Sequence, residues 1–236
     1  MSASNFAPQP PADELRVAMS DVVRFVRQLS HDLRNQLNAA DLQSAFLKEI
    51  ATDDETKQEV QRLRSTLAEM TTALQRLTDA LVTPRLNELS YEAVAFMEDL
   101  QQKLRSQSAE RSEQLVWDVQ VDDAMICIDP QILPQAFLQL IDNAFQHGRG
   151  SEPIQINASA NGEMRVTMTE PKTAFAESTE DWGRAPFRKL KHGHYGLGLH
   201  RARNIIEAHR GRLEARHDSS SSSLITTVVL PVIGRK

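Results

Sequence analysis

Apolar residues near the start of the chain recur in alternating steps of three and four, the spacing of a helical seam. One such series comprises Leu15, Met19, Val22, Val26, Leu29 and Leu33, and the other comprises Val60, Leu63, Leu67, Met70, Leu74, Leu77 and Leu81. We predict helices over 13–50 and from about 54 to Pro84, joined by a turn with N-cap chemistry at Thr52-Asp53-Asp54-Glu55. Because the apolar stripe is too broad for one partner, we expect two antiparallel hairpins to form a four-helix bundle, a homodimer through residues 13–88.

Shorter apolar runs, which alternate with amphipathic segments, follow Pro84. They predict strands at 89–91, 115–121, 124–128, 154–160, 164–169, 212–216 and 224–231, and helices at 92–107, 131–147 and 199–209. Asp129-Pro130 is a helix-start signal, and Gly211 is the expected C-terminal stop of the last helix. The fold class is therefore α+β, with a helical hairpin followed by a two-layer α/β sandwich over residues 89–236. Residues 1–12, rich in proline, are expected to be a disordered tail.

Composition excludes several function classes. The net charge is −5 with no long run of one sign, so we expect no nucleic-acid partner. Cys127 is the single cysteine, which excludes a disulfide framework and a thiolate metal site. No apolar run reaches the roughly 18 residues of a membrane span, and the start lacks signal-peptide features, so the sequence predicts a cytoplasmic protein without a membrane segment. Since few residues precede the first helix, we expect input from a separate sensor protein or through the tail.

The first candidate for chemistry is the stretch S-H-D-L-R-N-Q-L at residues 30–37. His31 lies two residues from both Leu29 and Leu33, so it is expected to point away from the seam into solvent. Asp32 is its neighbour, and Asn35 lies one turn further on the same face. This arrangement is typical either of a chemically active histidine or of a solvated helix face with an incidental one.

The second candidate combines two segments, Q-L-I-D-N-A-F-Q-H-G at residues 139–148 and H-Y-G-L-G-L at residues 194–199. Asn143 stands among apolar helix positions, where it either satisfies backbone groups or holds a ligand. In the second segment, glycines that open a helix let backbone N–H groups approach phosphate oxygens.

In order and spacing, these segments resemble the catalytic core of sensor histidine kinases, with the ATP-binding domain that those kinases share with gyrase, Hsp90 and MutL. The resemblance implies that His31 is the phosphoacceptor, that Asp32 orients its ring, and that Asn35 orients water for dephosphorylation of the regulator. It also implies Mg²⁺ on Asn143 and an ATP site matched by Asn143, His147, Glu170, Gly196, Leu197, Gly198 and Leu199, with a lid box at Ala185-Pro186-Phe187. The implied partners are a response regulator or another receiver domain.

This sequence departs from the family pattern at two places. Gln36 stands where the family usually has proline, so we expect a straighter helix. The first glycine box, Asp-x-Gly-x-Gly, is replaced by Glu170-Pro171-Lys172-Thr173-Ala174, and Glu170 takes the position of the aspartate that accepts the adenine amino group. We therefore predict an ATP-dependent histidine kinase; the alternatives are a histidine phosphotransferase with a decayed nucleotide site and a non-catalytic dimeric scaffold.

Overall fold

The computed structural model describes residues 18–121, 123–146, 150–173, 175, 178–180, 182–184, 186 and 196–233. The predicted tail, His147 and most of the lid box at 185–187 lie outside these residues. The chain divides into two compact units, one ending at Thr78 and the other starting at Asp79. The first holds nearly all of two long helices, and every described strand lies in the second.

The first unit is the expected antiparallel hairpin of helix α1, Met19–Ile50, and helix α2, Asp54–Leu81. Helix α2 begins as predicted, because Asp53 caps it by accepting a hydrogen bond from the Thr56 N–H at 2.7 Å. Three polar contacts link the helices, and their partners run in opposite directions: Arg34 with Gln75, Asp41 with Arg64, and Lys48 with Gln61. The sequence predicted a helix from residue 13, but Ala18 has an extended backbone and lies before the first turn of α1, so the prediction is wrong at that residue.

Burial within the hairpin follows a heptad that the apolar pattern did not predict. Ser30, Leu37 and Ser44 are buried at intervals of seven, so small hydroxyl residues let the two helices approach closely. Ser44 donates its hydroxyl to the Ala40 carbonyl at 2.7 Å, which satisfies that group inside the helix. Several predicted seam residues are instead half exposed within one chain, among them Leu29, Leu63 and Met70.

The second unit comprises four helices and seven strands in the part of the chain that the structure describes. They are β1 Leu89–Glu92, α3 Ala93–Gln107, α4 Ala109–Glu113, β2 Leu115–Gln120, β3 Met125–Ile128, α5 Leu133–Gln146, β4 Ile154–Asn161, β5 Glu163–Pro171, α6 Gly198–Ala208, β6 Arg212–Asp218 and β7 Ser223–Ile233. These strands form one sheet in the order β1-β3-β7-β5-β4-β2, with β6 paired to β7. Only β2 and β4 pair in parallel among them. The short helix α4 was not predicted; Ser108 caps it.

One core joins the helices to alternate positions of the strands. Phe96 of α3 meets Phe137 of α5 edge to face at 5.5 Å between ring centroids. The predicted apolar face of α5 is buried, with the buried core residues Leu133, Phe137, Leu140, Ile141 and Ala144. This packing fixes the face of α5 that carries the candidate site residues. None of the described helices is both long and apolar enough to span a membrane.

Asp129 binds backbone N–H groups in the turn that precedes α5. Its carboxylate accepts hydrogen bonds from the N–H groups of Asn87, Gln131 and Ile132 at 2.8, 2.9 and 3.0 Å. Burial alone would raise the pKa of Asp129, but these three donors hold it below the ordinary value. The Asp129 N–H itself donates to Nε2 of the fully buried His209 at 3.0 Å. The predicted helix start at residue 131 is two residues early, since a turn precedes Leu133.

Helix α6 ends differently from the prediction. The left-handed residue is Arg210, with φ of 60°, whereas Gly211 is outside that region. The N–H of Arg210 donates to the Glu207 carbonyl and that of Gly211 to the Ile206 carbonyl, both at 2.9 Å, which is the Schellman pattern. Glycine is needed at 211 for space, because a Cβ there would lie 2.7 Å from the Val229 carbonyl oxygen.

Candidate functional site

His31 is exposed on α1, as its position in the sequence predicts. Its side chain is 65% exposed and that of Asp32 is 55% exposed. The ring Nδ1 lies 3.2 Å from Oδ1 of Asp32 and 3.4 Å from Nδ2 of Asn35. The structure thus brings together the three residues that the sequence singles out on this helix.

The contacts of Nδ1 determine which ring nitrogen is available for chemistry. A neutral imidazole carries one proton, so Nδ1 either donates to Asp32 or accepts from Asn35. The carboxylate is charged and closer, and a charge-assisted hydrogen bond is the stronger of the two. Nδ1 therefore carries the proton, and Nε2 keeps a lone pair; within the described residues Nε2 makes no hydrogen bond.

Gln28 supports this arrangement from the preceding turn. Its Nε2 donates to Oδ1 of Asp32 at 3.0 Å, the same oxygen that accepts from His31. The His31 hydrogen bond, followed by that from Gln28, lowers the pKa of Asp32 from its ordinary value. The carboxylate thus stays ionised and oriented towards the imidazole. Gln28 was not among the predicted site residues, although its i, i+4 spacing to Asp32 is a usable sequence signal.

The N-terminus of α6 is the second part of the site. Gly196 has a φ of 63°, a conformation that a residue with a Cβ rarely adopts. Leu197 is buried, and no side chain of the described residues caps the helix. The first helical hydrogen bond runs from the Arg201 N–H to the Leu197 carbonyl, so the N–H groups of Gly198, Leu199 and His200 lie before it. Such a helix start attracts phosphate oxygens.

Helix α5 packs directly against this start. A Cβ on Gly198 would lie 2.5 Å from Nε2 of Gln139, so glycine is required for the contact. Asn143 lies one turn beyond Gln139 on the same face of α5 and is partly buried. Asp142, in contrast, pairs with Arg111 at 2.7 Å, a contact that fixes the outer side of α5. Asn143 therefore shares the face of α5 on which Gln139 meets the predicted Gly198.

Two side chains of α6 bind the backbone of Trp182 and Gly183, which precede the second glycine box in the chain. Nδ1 of His200 donates to the Gly183 carbonyl at 2.9 Å, and Nε of Arg203 donates to the Trp182 carbonyl at 2.6 Å. Gly183 has a φ of 74°, and a Cβ there would lie 2.7 Å from the Leu199 carbonyl oxygen. Sequence reasoning missed Arg203, whose burial in an amphipathic helix has no signal in the apolar pattern.

The altered glycine box contains a buried ion pair. Nζ of Lys172 lies 2.8 Å from Oε1 of Glu170, and the two side chains are 9% and 2% exposed. The Phe175 ring lies 5.5 Å from Nζ of Lys172 and packs against the rings of Trp182 and His217. Glu170 stands at the position of the family's adenine-contacting aspartate. Its carboxylate is thus paired with Lys172 of the same chain.

The two ends of the candidate nucleotide site differ in how well they fit ATP. At the phosphate end, the uncapped helix start and the glycines that let the backbone approach fit a polyphosphate. At the base end, Lys172 already occupies an oxygen of Glu170. His147, Phe187 and the basic residues Arg149, Arg188, Lys189 and Lys191 lie outside the described residues.

Comparisons with known proteins show which sequences and folds this chain resembles. Residues 128–233 match the family described as histidine kinase-, DNA gyrase B-, and HSP90-like ATPase. The adaptive-response sensory kinase SasA of Synechococcus sp. (strain JA-3-3Ab) is 24% identical over 251 residues, covering 100% of this chain and 67% of that protein. Sensor histidine kinase ZraS of Klebsiella oxytoca is 26% identical over 216 residues, covering 88% of this chain and 46% of that protein.

Solved structures show the same fold. The crystal structure of full-length ShkA in complex with AMPPNP has a TM-score of 0.68 at 17% identity and covers 90% of this chain and 46% of that one. Acinetobacter baumannii histidine kinase AdeS has a TM-score of 0.51 at 17% identity, covering 86% of this chain and 98% of that one. The predicted α+β fold class is confirmed. Residues 128–233 thus resemble the histidine kinase-, DNA gyrase B- and HSP90-like ATPase family, and the chain is similar to sensor histidine kinases in sequence and fold.

Proposed function

We propose that this chain is the core of a two-component histidine kinase that phosphorylates His31 and passes the phosphoryl group to an aspartate of a response regulator. The observation that carries the proposal is the exposed imidazole whose Nδ1 is held by Asp32 at 3.2 Å. When it is neutral, such a ring presents Nε2 as a nucleophile. A family of ATPase domains implies ATP binding, and bound ATP supplies the phosphoryl group.

Different residues of the second unit bind the phosphates, the Mg²⁺ and the base of the nucleotide. The N–H groups at Gly198, Leu199 and His200 bind phosphate oxygens, with Gly196 and Leu197 shaping the turn before them. The Asn143 amide oxygen is the proposed Mg²⁺ ligand, a hard oxygen donor of the kind that Mg²⁺ prefers. Glu170 lies at the base end of the site. His147, near the end of the sequence segment 139–148, is a further proposed nucleotide-binding residue.

In the hairpin, Asp32 and Asn35 have different roles. Asp32 stabilises the imidazolium that forms when Nε2 attacks, because its carboxylate accepts a hydrogen bond from the Nδ1–H group. Asn35 is the proposed orienting group for the water that hydrolyses the phosphorylated regulator. An Asn35→Ala protein that dephosphorylates its regulator at the wild-type rate would rule out that role.

The exposed apolar face of the hairpin supports a homodimer. Leu29, Leu63 and Met70 are 43%, 48% and 51% exposed, and other large apolar side chains of α1 are also exposed: Phe25, Leu42, Phe46, Leu47 and Ile50. Patches of this kind mark protein interfaces. We expect a second hairpin to cover this face in a four-helix bundle, and the response regulator, with a separate sensor protein as input, to complete the assembly.

The buried ion pair favours a second candidate function. If Lys172 keeps Glu170 from a nucleotide base, His31 receives its phosphoryl group from one receiver domain and returns it to another. The hairpin chemistry is unchanged in this case, because Nε2 of His31 is again the nucleophile. The two candidates differ only in the phosphoryl donor.

The test is phosphoryl labelling of the purified protein with Mg²⁺ and γ-labelled ATP. We compare the wild type, His31→Gln and the matched control Gln43→Ala, another exposed polar position on α1. Acid-labile, base-stable label that is lost only in His31→Gln supports the kinase. Label that comes only from a phosphorylated receiver domain supports the phosphotransferase, and a wild type that takes label from neither donor refutes both.

A further inference from the structure

Arg201 joins the two helices of the candidate nucleotide site. Its Nη2 donates to Oε1 of Gln135, on α5, at 2.7 Å. The Gln135 amide is also held from its other side, because its Nε2 donates to the Gln131 carbonyl at 3.0 Å. The carboxylate of Asp79, the first residue of the second unit, lies 3.7 Å from Nη2 of Arg201. Arg201 therefore has an oriented acceptor on α5 and an anionic neighbour.

The backbone of Arg201 connects this contact to the start of α6. Its N–H makes the first hydrogen bond of the helix, to the Leu197 carbonyl at 2.9 Å. The side chain that reaches α5 thus belongs to the turn whose N–H groups are the proposed phosphate ligands. A displacement of Arg201 along α5 would move these N–H groups with it.

Two contacts, one turn apart on each helix, set the register of α5 against α6. The first joins Arg201 to Gln135. The second joins Gly198, three residues earlier on α6, to Gln139, four residues later on α5. Along α5 the partners therefore pass from Arg201 to the first residue of α6. Asn143 lies one turn further in that direction, on the same face of α5.

The two contacts restrain different movements. Gly198 has no side chain, so its contact with Gln139 limits how closely the helices approach. The hydrogen bond from Arg201 is directional, and it weakens when donor and acceptor slide past each other. The Arg201 side chain is 30% exposed, so we assign this bond the strength of an ordinary intramolecular hydrogen bond.

We propose that Arg201 is a positioning residue that sets the register of α5 against α6 and thereby the Mg²⁺ dependence of nucleotide binding. The inference rests on the proposed function, in which Asn143 of α5 binds Mg²⁺ and the N–H groups of α6 bind phosphate oxygens. The two helices must keep one register to share a Mg²⁺ ion, because Mg²⁺ requires near-ideal octahedral geometry. Phosphate binding without the metal requires α6 alone.

The experiment measures the affinity of the full chain for ADP by isothermal titration calorimetry, once with Mg²⁺ and once with EDTA. The ratio of the two dissociation constants is the Mg²⁺ enhancement. Gln135→Met removes the acceptor of Arg201 without a change in charge. We expect it to reduce the enhancement by about two- to tenfold, while the affinity in EDTA stays within about twofold of the wild type.

Gln131→Met is the matched control. This exposed glutamine lies one turn before Gln135, and its side chain makes no hydrogen bond within the described residues, so we expect the wild-type enhancement. Arg201→Met and the double variant Arg201→Met with Gln135→Met complete a cycle. Because both partners act through one hydrogen bond, the double variant is expected to lose no more of the enhancement than the larger of the two single losses.

The results separate this inference from the proposed function. A Gln135→Met protein that melts like the wild type and keeps the full Mg²⁺ enhancement overturns the inference and leaves the kinase intact. A wild type that binds ADP equally in Mg²⁺ and in EDTA also overturns it, and this measurement does not depend on the folding of any variant. Losses that add in the double variant overturn it as well, because the two residues would then act separately. If the wild type binds no ADP in either buffer and takes no label from ATP, the inference and the kinase both fail.

Discussion

Replacement of Lys172 by methionine tests how much the buried Glu170–Lys172 ion pair stabilises the second unit. The change keeps the length and apolar volume of the side chain but removes the ammonium group from Oε1 of Glu170, 2.8 Å away. Because the two side chains are 9% and 2% exposed, solvent screening is small. Removal of one partner of a buried pair destabilises a protein by about 3–5 kcal/mol. Lys172→Met is therefore expected to lower the free energy of unfolding of the second unit by that amount.

The double variant Glu170→Gln with Lys172→Met removes both charges at nearly constant volume. Replacement of a buried pair by uncharged groups of similar shape is often neutral, so we expect the double variant to recover most of the lost stability. Arg212→Met is the matched control, since Arg212 makes two 3.0 Å contacts with Glu163 but both side chains are about half exposed. An exposed pair contributes little to stability, so we expect Arg212→Met to unfold like the wild type.

Urea unfolding followed by tryptophan fluorescence measures these differences. Both tryptophans, Trp117 and Trp182, belong to the second unit, so the signal reports on the unit that carries the ion pair. A Lys172→Met protein within 1 kcal/mol of the wild type would refute the reasoning. A double variant as unstable as Lys172→Met would refute it equally, because the loss would then not come from breaking the contact between the two charges.

Three further predictions concern single residues. Asp32→Asn is expected to slow phosphorylation of His31 by about a hundredfold in a labelling time course, because Nδ1 loses its charged acceptor. Asp129→Asn is expected to lower the free energy of unfolding by about 1.5–3 kcal/mol at pH 7. The pKa of Asp129 is lowered in the folded protein, so the carboxylate contributes its full stabilisation at pH values above the unfolded-state pKa of about 3.8. That stabilisation is lost as the pH falls through the folded-state pKa, so the denaturation curves of wild type and variant should converge in acid. Gly211→Ala is expected to cost about 1–3 kcal/mol in the same assay, because the new Cβ would lie 2.7 Å from the Val229 carbonyl oxygen.

The sequence predicts the features that depend on periodicity and local chemistry. The hairpin, the strand positions and the exposure of His31 follow from apolar spacing, because that spacing sets which side of a helix or strand is buried. The cap at Asp53 follows from the oxygen-bearing side chain before a helical pattern. These are properties of short stretches, and tertiary packing reinforces them.

Features that depend on contacts between distant segments could not be predicted. Gly211 was expected to be the stop of the last helix, but the left-handed residue is its neighbour Arg210, and glycine is needed at 211 because β7 leaves no space for a side chain. The burial of Arg203 and His209 depends on backbone partners that lie in other elements, at Leu213 and Asp129. The sequence identified Lys172 as an obstacle at a glycine position, but only the structure shows that it pairs with Glu170.

The central claim is that Nε2 of His31 is the phosphoacceptor, and the position of the phosphoryl group on the ring tests it most directly. NMR of the phosphorylated full chain, labelled with ¹⁵N at histidine, assigns the phosphoryl group to one ring nitrogen of one residue. The account predicts phosphorus on Nε2 of His31 with the proton retained on Nδ1, because Asp32 holds that proton. Phosphorus on Nδ1 of His31, or on any other histidine, would contradict it.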